Sequence, residues 1–122
     1  MQVETGASIL EIIESDRIMT EMADSRTQDW QKRIGKGDCF KRWTPDGLEI
    51  YGEVLGDYET KYLRNFRICR CYSMACPEGE IGQVHVSTVN TLIDRETFEA
   101  VRNKLGKAWR LALKKLKEEE FL

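Results

Sequence analysis

Three of the four cysteines and the only histidine of this 122-residue chain fall within one stretch, Phe66 to Ser87. Cys69, Cys71, Cys76 and His85 are the side-chain types that hold zinc, and a thiol beside an imidazole is also the pairing that activates a cysteine nucleophile. The spacing argues against both. Structural zinc sites present paired C-x(2–4)-C knuckles, whereas Cys69 and Cys71 are separated by one residue. In an extended segment that spacing sends both thiols to one face, with Ile68, Arg70 and Tyr72 on the other. Cys76 precedes Pro77 at a turn, with His85 as the only imidazole, and the C-x-x-C of a disulfide enzyme is absent. The expectation is two strands joined by "PEGEIG", with small thiols filling a sheet face and His85 on a half-buried strand. A zinc centre or small enzyme built on Cys69, Cys71, Cys76 and His85 stands as the alternative.

Other chemical centres are equally unmarked. The chain has no G-x-x-x-x-G-K-[ST], no G-x-G-x-x-G after a strand and no G-x-S-x-G. "GKGD" at 35–38 connects helix to strand and reverses the order of a phosphate loop. Glu49 and Glu53 share a strand face, as paired carboxylates would, but exposed strand charges explain them as well. No cofactor is expected.

The elements that would position these residues are legible in part. Ser8 to Glu11 reads as a capping box. Ile9, Ile12, Ile13, Met19, Ala23, Trp30 and Ile34 then recur on one helical face, which predicts a long helix over about 9–33, ended by Gly35. A second box at Ser25 and Gln28 would split it in two. Ile18 and Met22 lie off the stripe. "DCFKRW" is a short strand, Thr44 to Gly47 a turn, and "LEIYGEVL" a strand with Leu48, Ile50, Gly52 and Val54 on one face. "GDYETKYLRN" reads as a polar loop, "FRICRCYSMA" and "QVHVSTVNTLI" as strands. Asp94 caps a final helix over about 95–120, whose stripe is Phe98, Val101, Leu105, Ala108, Trp109, Ala112 and Leu116. Gly106 interrupts it.

This order predicts a single α+β domain over 1–122. Its centre is a small antiparallel sheet, or an SH3-like partly closed barrel, of four or five strands at about 38–93, packed with the two helices. No apolar run approaches the roughly 20 residues that span a bilayer, and the N-terminus has no basic n-region, so a cytoplasmic setting with reduced thiols and no membrane partner is expected.

Charge suggests what the surface is for. The net charge is −2, yet residues 1–30 carry −5 and residues 31–76 carry +3. The chain is no bulk polycation, so a local basic face is what remains for electrostatic recognition. Lys104, Lys107, Arg110, Lys114, Lys115 and Lys117 form such a face on the last helix. Tyr58, Tyr62 and Arg64 belong to a mixed basic and aromatic region that also holds Lys36, Lys41, Arg42, Lys61, Arg67 and Arg70. The favoured reading is a non-enzymatic protein-interaction module. It would be a subunit of an assembly or a small regulator or inhibitor of a larger partner, with a homodimer as one form. Phage and mobile-element accessory proteins, including inhibitors of host defence, are analogous in type. Nucleic-acid binding through the basic and aromatic strand surface and the basic helix face is the alternative.

Overall fold

The computed structural model describes Ile18, residues 21–60 and residues 63–120. Residues 21–26 are helical, followed by a four-residue helix α1 (Asp29–Lys32). Strands β1 (Cys39–Trp43), β2 (Glu49–Tyr58), β3 (Phe66–Tyr72) and β4 (Glu80–His85) come next. A 3-10 turn at Val86–Thr88 leads to β5 (Thr91–Ile93), and helix α2 spans Arg95–Glu120. All strand pairs are antiparallel, and the order across the sheet is β4-β3-β2-β1-β5, an open sheet with β4 and β5 at its edges.

The helix expected over 9–33 is broken in its described part. Ser25 Oγ donates to the Met22 carbonyl and Thr27 Oγ1 to the Ala23 carbonyl, both at 2.7 Å. Such hydroxyls compete with the helical ladder and favour its end. The next helix starts where the Gln28 N–H donates to Gln31 Oε1 (2.8 Å), so the second box is Gln28 with Gln31 rather than Ser25 with Gln28. It ends at Lys32 with Arg33 as its cap, two residues before Gly35. The box at Ser8 and the apolar positions up to Ile13 lie outside the described residues.

The hairpin of β1 and β2 forms as the alternation requires. Gly47 closes its turn at φ 88°, donating to the Thr44 carbonyl (2.9 Å). β2 runs on past a bulge between Val54 and Gly56, so Gly56, Asp57 and Tyr58 are strand rather than loop. "QVHVSTVNTLI" is not one strand. The Ser87 N–H donates to His85 Nδ1 and Thr88 Oγ1 donates to the His85 carbonyl, which turns the chain off β4 and carries it to the far edge beside β1.

Two apolar clusters hold the sheet. On the inner face, Phe40, Val54, Cys69 and Val84 pack with Ile34, Val86 and Val89. Gln31 locks α1 onto this face, its Nε2 donating to the Ser87 and Val89 carbonyls (3.2 and 3.0 Å). On the outer face, Cys39 and Tyr72 pack against Phe98 of α2, with Tyr51, Ile93 and Leu105 around them. Asp94 caps α2 as expected, accepting the Thr97 N–H at 2.6 Å, a bond that lowers its carboxyl pKa.

Candidate functional site

The register of β3 with β4 places the four candidate ligands relative to one another. Cys69 and Cys71 face inward opposite Gly82 and Glu80, whereas His85 pairs with Phe66, an outer-face position of β3. Two thiols and the imidazole therefore point to opposite sides of one sheet. Cys76 sits in the turn between β3 and β4, and His85 ends β4 at the other end of the hairpin. The six residues of β4, Glu80 to His85, run between them and span roughly 17 Å. Among the described residues no three His, Cys, Asp or Glu side chains cluster as metal ligands.

Burial holds the Cys39, Cys69 and Cys71 thiols protonated. It raises the Cys69 pKa from its ordinary value to about 12, and it also raises those of Cys71 and Cys39, with the Arg42 charge opposing the rise at Cys69 and Cys71. Since the thiolate is the reactive form, native protein treated with iodoacetamide at about pH 8 is expected to leave Cys39 and Cys69 unmodified while Cys76 in its turn reacts. All four should react in denaturant. Labelling of Cys69 at the rate of Cys76, read by mass spectrometry, would contradict the packing role.

His85 is a hub that sequence spacing did not reveal. Its Nδ1 accepts the Ser87 backbone N–H (3.1 Å) and lies 2.8 Å from Ser87 Oγ; its Nε2 lies 3.2 Å from Asp24 Oδ1. A backbone amide can only donate, so Nδ1 is the acceptor and Nε2 carries the proton toward Asp24. The order of groups, serine to imidazole to carboxylate, is that of a nucleophile relay. The lone pair that would take the serine proton is nevertheless shared with the backbone amide of the same serine. The ring is 7% exposed and edge-on to Phe66. Asp24 also accepts from Asn65 Nδ2 (2.7 Å) and pairs with Arg64 Nε (3.7 Å). The cluster ties helical residues 21–26 to the ends of β3 and β4, which is a fold-fixing task.

Three of the strand-surface cations, Lys41, Arg64 and Arg67, are engaged within the fold. Arg67 is buried, donating through Nε to the Ile34 carbonyl (2.7 Å) and through Nη2 to that of Lys32 (3.2 Å), so it satisfies carbonyls at and just beyond the end of α1. Lys41 lies 3.2 Å from Glu49 and over the rings of Trp43 and Tyr51. Glu49 also accepts from the Tyr51 hydroxyl, and Glu53 pairs with Arg95, so neither carboxylate is free for acid–base work. Tyr51 packs beside the outer cluster, and Tyr58 is half-buried in β2. Tyr62 lies outside the described residues.

What the structure leaves open is the far half of α2. Lys104, Lys107, Arg110, Lys114, Lys115 and Lys117 are all exposed, as expected. The stripe opposite them is not covered to its end. Phe98 is 0% exposed, but Trp109, expected in the core, is 39% exposed and Leu116 is 54% exposed. Leu111, off the stripe among Lys107, Arg110 and Lys114, is 67% exposed. Met74 and Pro77 of the β3–β4 turn meet Leu105, Ala108, Trp109 and Ala112 in an apolar groove of about 210 Å³. Tyr58 and Arg64 lie at the opposite end of β2 and β3, beside Phe66 and Asp24, so they do not join this surface. No described helix is long and apolar enough to cross a membrane. Comparison with protein families, curated proteins and solved structures finds no match for this chain.

Proposed function

We propose that the protein is a non-enzymatic interaction module, a small regulator or assembly subunit that docks a larger, acidic protein on the projecting half of α2. One observation carries this reading: the stripe that buries Phe98 against the sheet continues in the open as Trp109 and Leu116. An apolar helical face flanked by charge is the arrangement that enters, or receives, an amphipathic partner. Between Lys104 and Lys117 there are six basic residues and no acidic one. Two copies meeting through this face would bring like charges together, so an acidic surface fits better than a homodimer. The engagement of Lys41, Arg64 and Arg67 within the fold weakens the nucleic-acid alternative. The strand order, with a 3-10 turn between β4 and β5, supports reading the sheet as an SH3-like, partly closed barrel. Four free cysteines suit a reducing, cytoplasmic setting.

The test is affinity capture with the full chain and with a Trp109→Glu, Leu116→Glu double variant, in the cells that make it. A partner with an acidic surface should be retained by the native chain and lost, by tenfold or more, with the variant, roughly the effect of placing charge in an apolar contact. Equal retention by both would reject the helix as the docking element.

A further inference from the structure

A second site lies on the sheet, at the outer edge of β4. Edge strands expose a row of unpaired N–H and C=O groups, and proteins usually blunt them with lysine, proline, a bulge or shortness. β5, the other edge, is three residues long. β4 is six residues long, holds no lysine or proline, and keeps an unbroken register with β3 from Glu80 to His85. Ile81, Gly82 and Gln83 are exposed along it, and among the described residues no strand pairs with its outer side. Gly82 leaves open space where a side chain would stand.

Beside this edge, on the inner face, is a groove of about 180 Å³ lined by Arg42, Ile50, Cys71, Glu80 and the β4 residues up to Val84. Arg42 is half-buried there. Its Nε is shielded from solvent and has no hydrogen-bond partner among the described residues. Its guanidinium makes no ion pair within the described residues, in contrast to Arg64, Arg67, Arg95 and Arg102, each of which has a carboxylate. A buried donor without an acceptor is costly, and a carboxylate is the acceptor that matches a guanidinium best.

We propose that β4 and this groove bind an extended peptide segment bearing a carboxylate, which adds to the sheet as a further strand and places its acidic side chain on Arg42. The backbone edge supplies the pairing and Arg42 supplies the selectivity. Glu80, on the rim of the same groove, competes for Arg42 and disfavours the ligand.

The experiment is a 15N chemical-shift titration of the full chain with capped six-residue threonine–valine peptides that carry glutamate, glutamine or lysine at the third position. The glutamate peptide should shift the amides of Ile81 to Val84 and Cys71, and should bind roughly tenfold more tightly than the glutamine peptide. Arg42→Gln should erase that difference, and Glu80→Gln should strengthen the glutamate peptide. The Trp109→Glu, Leu116→Glu variant should bind it unchanged, which separates this site from the helix surface. Absence of shifts along β4, or equal binding of glutamate and glutamine peptides to the native chain, overturns the proposal even where the Arg42 variant fails to fold.

Discussion

Phe98→Ala is expected to cost the fold about 3–5 kcal/mol, whereas Trp109→Ala on the same helix is expected to cost about 1 kcal/mol. Phe98 is fully enclosed between Cys39 and Tyr72, with its ring 5.8 Å from that of Tyr72 in an edge-on contact. Removing it opens a cavity that strands on both sides hold apart. Trp109 lines an open groove together with Met74 and Pro77 and is 39% exposed. Urea titrations of the two variants give the comparison directly. Equal, large losses would mean that the whole helix is core. A loss below about 1 kcal/mol at Phe98 would mean that even its first turns are loosely held.

The second large effect is at Gly52. A Cβ built there would stand 2.2 Å from Cζ of Phe40 and within 2.8 Å of both its Cε atoms, on a ring that is itself fully buried. Neither side can retreat, because Phe40 is hemmed in by the inner cluster and Gly52 is pinned between β1 and β3. Gly52→Ala is therefore expected to destabilise by about 3 kcal/mol, at the upper end of overpacking costs. Gly56→Ala, where the added carbon meets nothing within 4 Å, should stay within about 0.5 kcal/mol of native. Thermal melts of the pair check this. Similar melting temperatures for both would refute the close packing of Phe40 on β2.

The contrast between these two glycines shows where sequence reading succeeded and where it stopped. Alternation put Gly52 on the same face as Val54, correctly, but gave no sign that an aromatic ring presses on it. The hairpin of β1 and β2, the strand over Phe66–Tyr72 and the cap at Asp94 were legible because each depends on neighbouring residues: a turn, a period, a hydroxyl or carboxylate in the right place. The split of the last β segment had a local signal too, in Ser87 and Thr88, but a run of β-branched residues outweighed it. The position of His85 relative to Cys69 and Cys71 depends on how many residues the β3–β4 turn consumes, since a one-residue slip moves every side chain to the other face. Asp24, far away in the chain, reaches His85 only through the tertiary fold. Likewise, helical periodicity marked the stripe from Phe98 to Leu116 without revealing that the sheet covers only its beginning. That uncovered remainder is the basis of the functional proposal.

The most direct measurement is zero-length carbodiimide cross-linking of the native chain with its captured partner, read by mass spectrometry, because this chemistry joins lysines only to carboxylates in contact. We predict cross-links from Lys104, Lys107, Lys114, Lys115 or Lys117, the exposed lysines of α2, to acidic residues of a single protein. Cross-links that arise instead from Lys32, Lys36 or Lys41, with the α2 lysines unmodified, would contradict the account.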